Sequence, residues 1–191
     1  MMMTRSKCFG CGPCKKRPGW DSDVFKNTQV AGRSHRSKLC VSLMNEVSSL
    51  QREILGVPND YLIGIINGSD TCAFECALWN LIGPNGVDCI VIDSFSKIWA
   101  NDVKNELKIK DFKIYETNPG QMPDIANING NRDIVTVYNG TTTGVCFDNL
   151  DFIKPDRKGL TLFDATSVAF ATNIDFSKID VLTYSWQKVL G

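Results

Sequence analysis

Residues 160–188 read LTLFDATSVAFATNIDFSKIDVLTYSWQK and contain the pattern that decides the fold. Two short apolar runs, at residues 160–163 and 181–184, are each followed at once by polar or small residues. Their apolar residues are continuous rather than alternating, which is typical of strands buried on both faces. The stretch therefore predicts two neighbouring strands of a parallel sheet, each with polar side chains at its carboxyl end.

The same pattern occurs upstream. Apolar runs at residues 62–66, 89–92 and 134–138 also end in polar or glycine-containing segments. Helix-like stretches cover residues 72–81 and 98–107, and residues 38–55 have apolar side chains at helical spacing until Gly56 and Pro58 stop the pattern. Alternating strands and helices predict an α/β layered domain with a mainly parallel sheet.

Composition favours one domain in a reducing compartment. The chain has 191 residues, of which 43% are hydrophobic, enough for a substantial core. Its first ten residues lack the apolar region of a secretion signal, and no stretch approaches the roughly 18 apolar residues of a membrane helix. The eight cysteines are therefore expected to be reduced thiols of a cytoplasmic protein that contacts no membrane.

Charge is balanced overall but unevenly placed. Residues 1–38 contain nine Lys/Arg and two Asp/Glu, a net charge of +7, which leaves −7 for the remainder. The acidic remainder has no nucleic-acid recognition motif. The basic segment therefore favours a small phosphorylated or carboxylated ligand over a nucleic acid.

Polar residues at predicted strand ends are the candidate site, because ligands of open α/β sheets bind there. Ser69 and Asp70 open the helix after residues 62–66, where a phosphate would meet the positive end of the helix, although a plain helix cap is the favoured alternative. Thr141 follows the strand at 134–138 in the segment NGTTTG, which is either a plain turn, its usual role, or a source of hydroxyls for a ring oxygen or phosphate. Asp164 is either a helix cap or the partner of a cation such as a protonated pyridine nitrogen.

Two further residues are candidates for binding a flat cofactor that contains an aldehyde. Trp99 follows the strand at 89–92 and is a candidate for ring stacking, although a core or surface position is the more common role of a tryptophan. Lys188 follows the last strand, where a desolvated amine forms a Schiff base with pyridoxal phosphate. Taken alone, Lys188 is more simply interpreted as a surface lysine.

The amino-terminal region contains two other motifs. His35 and Arg36 lie in GRSHRS, where an arginine fork suits a carboxylate or phosphate, although a solvated basic loop is the simpler interpretation. Cys8, Cys11 and Cys14 have iron–sulfur spacing, but position 18 is proline and no histidine completes a zinc set. We therefore expect no metal.

Seven motifs in order resemble phosphoserine aminotransferases of the type found in alphaproteobacteria and some archaea. This family belongs to class V of the fold-type I enzymes that use pyridoxal 5′-phosphate. The motifs are GPCKKRPGW (12–20), GRSHRS (32–37), REILGVP (52–58), SDT (69–71), NGTTT (139–143), DATS (164–167) and SWQKVLG (185–191).

The resemblance implies a role for each candidate. Lys188 matches the lysine that holds the cofactor and moves the substrate proton, and Asp164 matches the partner of the pyridinium nitrogen. Trp99 matches the stacking residue and Thr141 a contact of the ring oxygen. The positions matching phosphate contacts are Ser69, Asp70 and Gln187, and those matching substrate contacts are His35 and Arg36.

The implied reaction is amino transfer from glutamate to 3-phosphohydroxypyruvate, on the route to serine. The implied architecture is a three-layer α/β/α large domain, with residues 1–37 contacting substrate and residues 38–191 binding cofactor. The family continues into the rest of this domain and a small carboxy-terminal domain, and forms homodimers. We therefore expect a fragment truncated before the small domain, with little activity alone.

Three alternatives stay open at this level. The chain could instead resemble an alanine–glyoxylate aminotransferase or a cysteine desulfurase, which use the same aspartate and lysine. It could also be an inactive remnant. GRSHRS and SWQK favour the phosphoserine branch.

Overall fold

The described residues, 18–26 and 28–190, form a parallel five-stranded sheet in a computed structural model. The strand order is β2-β1-β3-β4-β5, and every neighbouring pair is parallel. The strands are β1 (Val87–Val91), β2 (Phe112–Glu116), β3 (Asp133–Val137), β4 (Thr161–Asp164) and β5 (Val181–Thr183). The predicted α/β fold with a mainly parallel sheet is confirmed.

Burial explains which strands the sequence revealed. Every residue of β1, β3 and β4 is buried, as their continuous apolar runs predicted. The edge strand β2 was not predicted, because its residues (FKIYE) alternate between apolar and polar and are only partly buried. Alternating apolar and polar residues indicate a half-buried strand, so the sequence did contain a signal for β2.

Four α-helices lie in the described part of the chain, besides a short 3-10 helix at Phe176–Lys178. They are α1 (Asp23–Lys26), α2 (Lys38–Leu55), α3 (Asp70–Leu81) and α4 (Ser94–Asn101), and a π-helical turn continues α4 over Asp102–Glu106. The predicted helix at 98–107 therefore begins four residues early, because Asp93 and Ser96 form a capping box at its start. None of these helices is long and apolar enough to cross a membrane.

Helix α2 has the predicted bounds, but most of its apolar stripe is not buried by the described residues. Gly56 ends it in the left-handed conformation, with φ of 72°, which glycine adopts without steric cost. Along the predicted apolar stripe, Leu43, Leu50 and Ile54 are 40%, 45% and 68% exposed. The periodicity identified the helix, but the described residues do not bury most of its stripe.

The prediction of a strand at residues 62–66 is wrong. In the described chain this segment is neither helix nor strand and pairs with no strand, and Leu62 is 97% exposed. A strand requires a neighbour that accepts and donates its backbone hydrogen bonds. The segment is anchored from one end by Tyr61, whose hydroxyl donates to the carbonyl of Phe176 at 2.8 Å.

Candidate cofactor site

The loops after β1, β3, β4 and β5 meet at one edge of the sheet, because parallel strands end on the same side. Thr141 lies in the loop after β3, Asp164 ends β4, and Lys188 lies beyond β5. Helix α3 begins at the same edge and contacts both β4 and β5. The fold therefore brings most of the predicted cofactor residues to one side of the sheet.

Asp164 is buried and held by two neutral donors. The indole Nε1–H of Trp99 donates to its Oδ2 at 3.2 Å, and the backbone N–H of Thr166 donates to its Oδ1 at 2.9 Å. Only 8% of the residue is exposed. Both donors orient the carboxylate without cancelling its charge, so the site suits a cationic group.

Trp99 is part of the hydrophobic core. It is 2% exposed, and its ring is tilted at 45° against Phe74 with a centroid distance of 4.7 Å. The observed role is to pack the core and orient Asp164. Stacking of Trp99 on a cofactor ring requires an accessible ring face, and it stays a prediction.

Ser69 and Asp70 lie at the start of α3, as predicted, but their side chains differ in setting. Ser69 is the N-cap residue, and its hydroxyl makes no capping hydrogen bond. Asp70 is buried, and its Oδ2 accepts a hydrogen bond from the Thr183 hydroxyl at 3.1 Å. Burial, with the nearby charge of Asp164, raises the pKa of Asp70 to about 8. Asp70 thus faces the interior.

A hydroxyl cluster follows β3 and β4. Thr141 donates to Ser167 Oγ at 2.9 Å, and Ser167 donates to Asn139 Oδ1 at 2.8 Å. The loop is compact at Gly140, where a Cβ would lie 2.3 Å from Thr143 Oγ1 and 3.1 Å from the carbonyl oxygen of Ile92. The cluster holds Thr141 in a defined position at the site edge.

The run after β5 is tied to α2. The Tyr184 hydroxyl and the Trp186 indole N–H both donate to Gln51 Oε1, at 2.9 and 3.3 Å. Gln187 Nε2 donates to Ser185 Oγ at 2.6 Å. Lys188 is half-buried with φ of 56°, a conformation that is uncommon for residues other than glycine and concentrates at functional sites.

A cleft of about 1010 Å³ opens beside this run. It lies between residues 62–66 and the β5 edge, and its lining includes Ser69, Thr183 and Gln187. Asp164 and Thr141 do not line it. The cleft therefore borders two of the three predicted phosphate residues, Ser69 and Gln187, and does not reach the residues predicted to contact the ring.

The predicted substrate residues are not joined to this cluster. His35 and Arg36 are exposed in the turn region before α2. In the described part of the chain, no hydrogen bond or ion pair connects their side chains with Asp70, Asp164 or Trp99. The Cys8, Cys11 and Cys14 motif lies outside the described residues, and within those residues no cluster of metal-ligating side chains is found.

Sequence reasoning missed three contributors to the site. Thr183 was treated as an ordinary strand residue, and nothing in its local sequence indicated a contact with Asp70. Asn139 and Ser167 belong to motifs that were noticed, but their hydrogen bonds to each other and to Thr141 depend on the adjacency of β3 and β4.

The residues present fit pyridoxal phosphate. An oriented, buried carboxylate suits a protonated pyridine nitrogen, and the uncommitted Ser69 hydroxyl at the positive end of α3 suits a phosphate. The hydroxyl of Thr141 and the amine of Lys188 complete the types of group that such a cofactor uses. The arrangement resembles the cofactor site of a fold-type I transferase.

Curated relatives of the chain are phosphoserine aminotransferases. The chain is 49% identical to the phosphoserine aminotransferases of Methanosarcina barkeri, over 96% of its length, and of Methanosarcina mazei, over 98%. It is 29% identical to the enzyme of Rhodococcus opacus over 94% of its length. The chain spans about half the length of these curated relatives, 48–50%.

Solved structures agree on the fold. A phosphoserine aminotransferase from Cytophaga hutchinsonii superposes with a TM-score of 0.76 at 24% identity, over 88% of this chain and 47% of the other. The enzyme from Trichomonas vaginalis, a structure described as PLP-bound, gives a TM-score of 0.67 at 21% identity over 81% and 44%. The prediction of the fold-type I large domain is confirmed.

The chain is a relative of the phosphoserine aminotransferases over nearly its whole length, as the seven motifs predicted. No family model matches it.

Proposed function

We propose that this chain is the cofactor-binding part of a phosphoserine aminotransferase that transfers the amino group of glutamate to 3-phosphohydroxypyruvate. One observation carries the proposal: Asp164 ends a central strand as a buried carboxylate, oriented by Trp99 and Thr166, at the same sheet edge as Lys188. The sequence identity of 49% to two enzymes of that name supports the choice of reaction.

Asp164 supplies the counter-charge for a protonated ring nitrogen. Its two neutral donors fix the carboxylate in advance, so little reorganisation is needed when a cation arrives. When bound, pyridoxal phosphate supplies an electron-withdrawing ring that stabilises negative charge at the substrate α-carbon. The proposed contribution of Asp164 is to keep that ring nitrogen protonated.

The start of α3 receives the phosphate in this proposal. Ser69 offers a hydroxyl that no helix cap occupies, and the amino end of a 12-residue helix carries partial positive charge. Gln187, which also lines the cleft, supplies an amide. Thr141, held by Ser167, supplies a hydroxyl to the ring oxygen.

Lys188 holds the cofactor aldehyde and moves the proton to and from the substrate α-carbon. This task requires an amine that is neutral for part of the cycle, and Lys188 is half-buried beyond β5, at the end of the sheet where Asp164 lies. We propose that His35 and Arg36, within residues 1–37, bind the anionic groups of the substrate, and that residues 38–191 bind the cofactor. We also propose a cytoplasmic location and a homodimer for the full-length protein.

Cofactor binding is tested with the 191-residue chain itself. Pyridoxal phosphate is added, the adduct is reduced with borohydride, and the modified peptide is identified by mass spectrometry. We expect modification of Lys188 and its loss in Lys188→Ala, whereas Lys154→Ala, at an exposed loop lysine, keeps it. Equal labelling of several lysines would mean that no specific site assembles, as in an inactive remnant.

Substrate choice is tested with a chimera in which this chain is completed by the remaining half of the Methanosarcina barkeri relative. We expect amino transfer from glutamate to 3-phosphohydroxypyruvate, reduced about 10³-fold or more by Lys188→Ala. Preference for glyoxylate would favour the alanine–glyoxylate branch, and sulfur release from cysteine would favour a desulfurase.

A further inference from the structure

We propose that Asp70 is a positioning residue: in its protonated form it donates a hydrogen bond from Oδ1 to the carboxylate of Asp164. This inference rests on the proposed function, because Asp164 is the residue assigned to the ring nitrogen. It gives Asp70 a role inside the site that differs from the phosphate contact expected from the sequence.

The first argument is the placement of the two acids. Asp70 begins α3 and Asp164 ends β4, and they are only 6% and 8% exposed. Thr183 is paired with Asp164 in the sheet and donates to Asp70, so the two acids lie close together. Two ionised carboxylates close together at a buried position repel each other and are both costly to desolvate. One shared proton removes the repulsion and allows a hydrogen bond between them.

The hydrogen-bond donors decide which acid is ionised. Asp164 accepts one N–H donor at each of its oxygens, from Trp99 and Thr166. Asp70 accepts one hydroxyl, from Thr183 at Oδ2, and its buried Oδ1 has no hydrogen-bond partner among the described residues. Donors favour the charged form, so Asp164 is the carboxylate and Asp70 the acid.

The surroundings of Asp70 agree with this assignment. Burial raises its pKa most, followed by the charge of the nearby Asp164. The hydroxyl of Thr183 on β5 donates to Asp70 and lowers its pKa by less. Thr166 Oγ1 also lacks a hydrogen-bond partner within the described residues.

A neutral Asp70 also removes a conflict at the start of α3. An ionised aspartate in the first turn would repel a phosphate placed beside Ser69. The protonated acid leaves the positive end of the helix unopposed. The proton on Asp70 therefore has two effects in the proposed site. It orients Asp164 through a hydrogen bond, and it removes a negative charge that would repel the phosphate.

The protonation state is measured on the cofactor-free 191-residue chain with ¹³C-carboxyl-labelled aspartate. The Asp70 resonance is assigned by its loss in Asp70→Asn. We expect Asp70 to remain protonated at pH 6 and Asp164 to be ionised. Titration of Asp70 near the ordinary value of an aspartate would overturn the proposal, whether or not the chain binds pyridoxal phosphate.

The positioning role is measured by rescue. Asp70→Asn keeps an N–H donor toward Asp164, whereas Asp70→Ala removes it; we expect Asp70→Ala to weaken pyridoxal phosphate binding by about tenfold or more and Asp70→Asn to stay within a few-fold. Equal loss in both variants, with circular dichroism unchanged, would overturn the role. If Asp70 is protonated but pyridoxal phosphate modifies no specific lysine, both the proposed function and the positioning role are refuted. Only the proton shared between Asp70 and Asp164 would then stand.

Discussion

The indole N–H of Trp99 donates to Oδ2 of Asp164 at 3.2 Å, which joins two residues 65 positions apart in the sequence. Trp99 belongs to α4, after β1, and Asp164 ends β4. A tryptophan packed in the core thereby orients the carboxylate to which the proposed function assigns the ring nitrogen.

This contact predicts separate effects for two substitutions of Trp99. Trp99→Phe keeps an aromatic ring but leaves Asp164 with one fewer donor, and we expect a loss of about 1–3 kcal/mol in the free energy of unfolding. Trp99→Ala adds a cavity and should cost about 3–5 kcal/mol. Urea denaturation measures both, and the 61%-exposed Trp79 gives the control Trp79→Phe, expected to be neutral. An equally neutral Trp99→Phe would contradict the role of the indole N–H.

Asp70 predicts a pH dependence of stability. Its pKa is raised from 3.8 to about 8 by burial and by Asp164, so the folded chain binds a proton that the unfolded chain has already released. The contribution of Asp70 to the free energy of unfolding is fully present below about pH 4 and is lost as the pH rises toward 8. We expect Asp70→Asn to flatten this decline in urea denaturation between pH 5 and pH 8.

The control for the pH experiment is Asp156→Asn, at an exposed loop position. It should leave the slope unchanged. An Asp70→Asn variant with the same slope as the parent chain would mean that Asp70 is ionised in the folded state.

Arg132 predicts a large stability effect away from the site. Its guanidinium pairs with buried Asp88 at 2.6 Å and with Asp111 at 2.8 Å. Arg132→Met leaves Asp88, which is 0% exposed, without its cation, and we expect a loss of about 3–5 kcal/mol. The double variant Arg132→Met with Asp88→Asn should recover part of that loss in urea denaturation. Failure of the second substitution to recover any stability would contradict this account.

Gly140 predicts a steric effect at the hydroxyl cluster. A Cβ at this position would lie 2.3 Å from Thr143 Oγ1 and 3.1 Å from a backbone carbonyl. We expect Gly140→Ala to cost about 1–3 kcal/mol of unfolding free energy. Gly64→Ala is the matched control, because a Cβ there meets nothing within 4 Å. Thermal denaturation compares the two, and equal stability would show that the loop relaxes without cost.

Local sequence patterns predicted the elements whose burial is reflected in their own composition. The fully buried strands β1, β3 and β4 overlap the predicted apolar runs, and α2 was predicted with the bounds it has. The pattern failed at β2, an alternating edge strand, and at residues 62–66, an apolar run without a paired neighbour among the described residues. Composition indicates whether a segment can be buried, not whether a partner is present.

The sequence by itself determined the kinds of groups at the site and their positions at strand ends, and its motifs indicated the family that the 49% identity supports. Only the tertiary structure decided how those groups are used. It buried Trp99 and directed its N–H to Asp164, and it brought Thr183 to Asp70 across 113 residues. The reason is physical: protonation and orientation depend on burial and on distant donors, which no local pattern records. Lys188 could be selected from its motif, but the charge state of Asp70 depends on the fold around it.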